Sequence, residues 1–337
     1  MRSGPELVRA SNVYAREDRA VTWRLLVVTL LVWAAVASVA AWAPWFVLRL
    51  SAAVFSGFVI VRVFIFYHDW LHGAVLAGST LGGLIMRLFG YYILAGASVW
   101  KETHDYHHKH TAKMVGASIG SYPVVTVSMW RLMTPRQRFA YRAARSPLVM
   151  SFGYLFMFVW GMCLSAFRRQ PRQHLDGLVA LLFHGGLATL VGALIGFEAA
   201  IFTVVMPVAI ATALGSYLFY AQHNFPAMQL KGRREWEYTF AALRSSSMFD
   251  MPPVMHWLTG NIGYHHVHHL NHRIPFYRLP EAMAEMPELQ APGRTSWAPA
   301  DVLACLYGNV WDPKQGRMLS YRELALLEPD DSAVAAK

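Results

Sequence analysis

The chain has 337 residues, of which 55% are hydrophobic, 14% aromatic and only 15% charged, with a mean hydropathy of +0.30. Soluble globular proteins carry roughly 25% charged residues, so this composition excludes an ordinary soluble enzyme, a disordered chain and a collagen, and points to the membrane. The 30 Lys and Arg exceed the 20 Asp and Glu for a net charge of +10, which suits the anionic inner face of a bilayer once hydropathy has set nucleic acid aside.

In chain order, the first 24 residues are polar and basic, and Leu25 to Leu48 then runs without a charge. About 20 apolar residues cross the hydrocarbon core, so this run is long enough to span. A second apolar segment, Trp45 to Tyr67, follows at once, and the pair reads as an uncleaved helical hairpin rather than a signal peptide. Arg49 and Arg62 lie toward the ends of the second segment, where long side chains can snorkel. Two more apolar runs, Leu178 to Phe197 and Ala199 to Ala221, form a second hairpin with Glu198 between them.

Two ambiguous segments separate the hairpins: Gly73 to Trp100, which holds Arg87 and six glycines, and Pro147 to Phe167. Basic residues crowd at the N-terminus, at Lys101 to Arg145, at Arg168 to Arg172 and at Lys231 to Arg234. All of these fall on the cytoplasmic side, where basic loops belong, only if each hairpin goes out and back and neither ambiguous segment crosses. The expected fold is an all-α integral membrane protein with two transmembrane hairpins (four spans), re-entrant or interfacial helices and a cytoplasmic histidine-rich cap. Its expected parts are a cytoplasmic N-terminal segment over 1–24, a membrane domain over 25–280 and a cytoplasmic C-terminal cap or tail over 281–337.

Cys163 and Cys305 are too few for a disulfide framework or a thiolate metal site and read as reduced, packed thiols. The chemistry lies in the 15 histidines. HDWLH holds His68 and His72 at i, i+4; HDYHH holds His104, His107 and His108 at i, i+3, i+4; HHVHH holds His265, His268 and His269 at the same spacing. Each spacing puts its imidazoles on one helical face, and each box lies at or beyond the cytoplasmic end of an apolar segment, as does His223. These nine imidazoles exceed what one ion can hold, so a dinuclear centre is expected. Imidazole suits Fe, Cu, Zn and Ni alike, and the ligand type leaves that choice open.

Asp69, Asp105 and Asp250 are candidates for orienting imidazoles through the nitrogen turned away from a metal, or else are solvated or capping residues. Asn261 either forms a turn with Gly260 or holds a water on the metal. His184, alone inside an apolar run, reads as a neutral hydrogen-bonded imidazole, and His174 as a group in a basic loop facing lipid headgroups. His266, out of phase with His265, reads as a group that packs or supports a ligand; His272 is back in phase but so close before Pro275 that the helix is expected to have ended, which sets it outside the ligands; and Trp100 reads as a side chain packed around the site.

In these three boxes the sequence resembles the membrane fatty acid desaturase family, whose HxxxH, HxxHH and HxxHH order it matches. TPRQRFAYRAARSPLVM, QHNFP, SSSMFDMPP, WLTGNIGYHHVHHLNHRIPFYRLP and LYGNVWDPKQGRMLSY further resemble the bacterial acyl-lipid desaturases of the omega-6 type, over about residues 55 to 320. The resemblance implies a cis double bond made in a lipid acyl chain with dioxygen as co-substrate. It implies two iron ions held by His68, His72, His104, His107, His108, His223, His265, His268 and His269, with Asn261 acting through water. Leu71 and Pro226 depart from residues common in the family, and neither removes a ligand.

No flavin, haem or iron-sulfur motif is evident, so electrons are expected from a partner such as ferredoxin or a b-type cytochrome. The Gly73 to Gly96 segment, where small residues admit close backbones, is the expected wall of an acyl tunnel. A hydroxylase or ketolase on the same scaffold is the nearest alternative. A histidine-rich metal transporter or sensor is a more distant one, because a transporter buries its ligands at the midplane of the spans.

Overall fold

The computed structural model describes residues 2–114, 121–232 and 234–327, so residues 328–337 of the expected C-terminal tail lie outside the described residues. Among the described residues four helices are long and apolar enough to cross a bilayer: Arg19–Trp42, Phe46–Leu71, Leu175–Leu194 and Phe197–Gln222. The Asp18 side chain starts the first by accepting from the amides of Ala20 and Val21, which satisfies two of the donors a helix N-terminus leaves unpaired. The fourth is π-helical over Ile201–Val205 and α-helical from Met206.

The second span is the central post. Two thirds (67%) of its apolar stretch is buried by protein, against 17% for the first and third spans, whose remaining surface is free to face lipid. It meets the fourth span at Gly57, where a Cβ would lie 2.7 Å from Ile210, so only glycine permits this crossing distance. At the far end of the hairpins Arg49 pairs with Glu198 at 2.6 Å. Arg62 does not snorkel. It is buried, donates to Thr29 of the first span at 3.0 Å and to the Trp257 carbonyl, and lies 4.3 Å from the centroid of the Trp257 ring. The helix continues nine residues beyond Arg62 to Leu71, so the sequence-based end at Tyr67 stopped a turn short and left this arginine too near a terminus.

Of the two ambiguous segments, the first is Thr80–Tyr92 followed by Ala97–His110, bent by 91° at the break. The bend turns on Leu94, whose φ of 61° is left-handed. It is pinned from both sides, by Tyr67 donating to the Ala95 carbonyl at 2.7 Å and by the Cys163 thiol donating to the Leu94 carbonyl at 3.2 Å. The second segment is a short helix, Pro147–Ser151, and a π-helix, Tyr154–Ser165, that runs on as α-helix over Ala166–Arg169; it is not one of the helices long and apolar enough to cross.

The polar remainder forms a cap over one end of the bundle. Among the described residues its strands form two small ribbons, Met248–Asp250 parallel to Arg294–Ser296 and Val310–Asp312 antiparallel to Arg317–Leu319. Buried Arg145 ties the cap to the spans: it donates to the carbonyls of Pro123 and Gly308 and to Asn224 Oδ1 at 2.7–2.8 Å, and to the Tyr220 hydroxyl at 3.1 Å. The N-terminal helix Gly4–Ser11 packs on the same cap through Arg2–Glu288 at 2.9 Å, and Asn271 donates to Ser11 Oγ at 2.9 Å.

Candidate metal centre

Four elements deliver the boxed histidines to one place. His68 sits in the last turn of the second span and His72 caps it, with the His72 amide on the His68 carbonyl at 3.2 Å. His104, His107 and His108 ride on Ala97–His110, His223 caps the fourth span, and His265, His268 and His269 ride on the helix His265–Leu270. The bend at Leu94 aims the second box back across the end of the second span.

The nine side chains separate into two groups, each with its candidate ligand atoms within 4.8 Å of one another: His68, His72, His104, His108 and His268 in one, and His107, His223, His265 and His269 in the other. Helical phasing divides the boxes. Successive residues are about 100° apart, so i and i+4 differ by about 40° while i+3 lies about 60° to the other side. His104 with His108 therefore join one group and His107 the other, and His265 with His269 join one and His268 the other.

Within the first group Nε2 pairs lie at 2.9 Å (His68–His104), 3.1 Å (His104–His108) and 3.1 Å (His108–His268). Within the second they lie at 2.9 Å (His223–His265), 3.1 Å (His107–His223 and His265–His269) and 3.3 Å (His107–His269). Adjacent nitrogens bound at about 2.1 Å to one cation stand roughly 3 Å apart, so both rings of nitrogens have the spacing of a coordination shell.

The opposite nitrogens of several rings are held. Asp69 Oδ1 lies 2.9 Å from His68 Nδ1, Ser121 Oγ 2.5 Å from His107 Nδ1, the Ser245 carbonyl 3.1 Å from His223 Nδ1, and Thr111 Oγ1 3.4 Å from His269 Nδ1. Asp105 lies 3.9 Å from His72 Nδ1 and is shared with Lys101 at 2.8 Å. An Nδ1–H so occupied leaves an Nε2 lone pair for a metal. Burial, and then the neighbouring imidazoles, pushes His265, His268 and His269 well below the ordinary histidine range, and burial brings His223 down to about 4. All are neutral at physiological pH, the form that ligates metal.

One of the candidate orienting residues faces elsewhere. Asp250 pairs with Arg294 at 2.5 Å at the edge of a ribbon. Asn261 adopts a left-handed φ of 55° and donates from its side-chain amide to the Phe276 carbonyl at 3.2 Å. Sequence reasoning missed Ser121 and the Ser245 carbonyl, which no spacing announces. It also missed Thr111, whose position four residues after His107 was a readable signal. His272 lies beyond the helix end at Leu270 yet brings its ring to 4.6 Å from that of His72.

Among the remaining histidines, His184 bonds the Tyr92 carbonyl at 2.6 Å and the Tyr154 hydroxyl at 2.9 Å. His266 donates to the Leu289 carbonyl at 3.0 Å. His174 is buried on Ser98 Oγ at 2.9 Å rather than turned toward lipid headgroups. Trp100 stacks on His104 with centroids 5.1 Å apart.

An almost wholly apolar cavity of about 350 Å³ opens onto both groups, touching His68, His104 and His265. It runs between the second span, the fourth span and the π-helix, and the glycine-rich Gly73 to Gly96 segment contributes only Ile93 to it. A second cavity of about 280 Å³ touches His107 and His223 and shares Ser121 and Tyr122 with the first.

The sequence profile of the fatty acid desaturase family matches residues 40–299, which includes all three boxes. The chain belongs to the fatty acid desaturase family. This desaturase-family chain is 26% identical over 289 residues to the fatty acid desaturase of Bacillus subtilis (strain 168), covering 83% of this chain and 79% of that protein. It is 23% identical over 248 residues to the sn-1 oleoyl-lipid 12-desaturase of Anabaena variabilis, covering 73% and 70%. With the chloroplastic omega-6 fatty acid desaturase of Glycine max it shares 25% over 258 residues, covering 73% and 58%. As a member of this family the chain is an oxidoreductase of the membrane.

Proposed function

We propose that the chain is an acyl-lipid desaturase that introduces a cis double bond into a membrane lipid's acyl chain, using dioxygen and external electrons, with its site at the cytoplasmic boundary of a bacterial membrane. The observation that carries this reading is the junction of an apolar cavity with two all-histidine groups. A saturated chain offers no polar handle near its middle, so it has to be positioned by shape, and this lining can do so.

His68, His72, His104, His108 and His268 would hold one metal ion and His107, His223, His265 and His269 the other. The donor sets fit: imidazoles, seven of the nine buried and the other two half-buried, with Nε2 atoms at coordination-shell spacing and without thiolates among them. Iron is the choice the family suggests, and two iron ions would supply the activation of dioxygen needed to remove hydrogen from an unactivated methylene. The protein's own residues do the rest. Asp69, Ser121 and the Ser245 carbonyl fix ring orientation, and the apolar walls formed by Ile65, Phe64 and Phe219 exclude water and present the chain. The basic residues that crowd the cap suit an acidic one-electron carrier such as ferredoxin; a b-type cytochrome is the other donor class. The net charge of +10 favours such docking.

The test is expression in a host whose lipids are saturated, followed by mass spectrometry of fatty acid methyl esters. The expected product is lighter by one hydrogen pair, with the bond located after derivatisation, and is absent from a His107→Ala/His268→Ala double variant. A product carrying an added oxygen would replace this reading with a hydroxylase.

A further inference from the structure

Most helical glycines near the site are explained by packing. A Cβ at Gly153 would lie 2.6 Å from Ser216 Oγ, and one at Gly57 would lie 2.7 Å from Ile210, so each lets two helices touch. Gly215 is different: it sits within the fourth span, yet a Cβ there would meet nothing within 4 Å. Glycine weakens a helix interior relative to alanine, and here no contact accounts for it. What the missing side chain provides is room, because Gly215 lines the apolar cavity. Gly161 of the π-helix also lines it, and its Cβ would meet only the Phe156 carbonyl at 3.4 Å.

The depth can be read along the fourth span. Gly215 precedes His223 by eight residues, about 12 Å of helix at 1.5 Å per residue, or roughly nine to ten extended methylenes at ordinary carbon geometry. The cavity continues past it to Val208, so a side chain at 215 would project into the middle of the passage, not its floor.

We infer that Gly215 is the specificity-determining position that keeps the inner half of this cavity open to the methyl end of a long acyl chain. The inference rests on the acyl-desaturase reading above. Its test is Gly215→Ala and Gly215→Leu expressed in a host supplying both palmitoyl and stearoyl lipids, with products quantified as methyl esters and protein abundance measured in the membrane fraction. Gly185→Leu, at an exposed site in the third span where a Cβ also meets nothing, is the control.

Gly215→Leu is expected to shift the product ratio from stearoyl toward palmitoyl by about tenfold, the scale on which one or two methylenes of pocket room discriminate. Gly215→Ala should fall between Gly215→Leu and wild type, and the control should match wild type. A wild-type ratio in both Gly215 variants would overturn the inference. So would loss of all product in Gly215→Leu with a wild-type ratio in Gly215→Ala. A wild-type chain that desaturates neither lipid would sink the functional reading itself, and this inference with it.

Discussion

Asp69 holds His68: its Oδ1 lies 2.9 Å from the ring Nδ1, while its Oδ2 accepts the Phe276 amide at 2.8 Å. One buried carboxylate thus links the end of the second span to the segment after the third box, and Asn261 grips the carbonyl of the same Phe276. Asp69→Asn keeps an oxygen for one of these bonds but loses the charge that favours an Nδ1–H. Loss of such an outer partner typically lowers metal affinity 10- to 100-fold. The expected result is loss of one of two bound ions on dialysis against a chelator, read by elemental analysis. Retention of both at wild-type affinity would count against the orienting role.

The two groups predict a stoichiometry. Wild-type protein should carry two metal ions per chain, and a His265→Ala/His269→Ala double variant one, because both substitutions fall in the second group. A wild-type content of one ion or fewer would end the dinuclear reading.

Metal-free protein should lose stability as the pH falls from about 6.5 to about 4. Burial lowers His223, His266 and His272 to about 4, below the ordinary histidine value near 6.5. In that window the unfolded chain takes up protons that the folded chain refuses, so acid favours unfolding. The contribution of these groups is fully present above about 6.5 and is lost by about 4, below which they add no further slope. Thermal unfolding in detergent across this range measures it, and a flat profile would contradict the burial that the fold imposes.

Gly57→Val should destabilise the bundle. The added atoms would press on Ile210, which already lies 2.7 Å from a built Cβ, and overpacking of this kind typically costs about 1–3 kcal/mol. Thermal unfolding in detergent reports the loss. Arg49→Ala, by contrast, breaks a pair whose Glu198 side chain is 70% exposed and should change the midpoint little.

Much of the architecture was legible because both of its main signals are local. Runs of apolar residues announce spans, and an i, i+3, i+4 pattern places His104, His107 and His108 on one helical face. What the sequence could not carry were relations across elements. Ser121 reaches His107, and the Ser245 carbonyl reaches His223, only after folding. Arg62 read as a snorkelling group because its partners, Thr29 and the Trp257 carbonyl, are remote in sequence. The glycine-rich segment read as a cavity wall by composition, whereas Ile93 is the one residue of it that reaches the cavity lining.

The phasing that splits the second and third boxes has a thermodynamic corollary. The helix carrying His104 and His108 toward one group carries His107 toward the other, and His265–Leu270 is shared in the same way. An ion that fixes the rotation of these two helices in one group fixes it for both, so the second ion meets helices already ordered. Metal uptake by this chain is therefore expected to be cooperative, with singly loaded protein a minor species during titration.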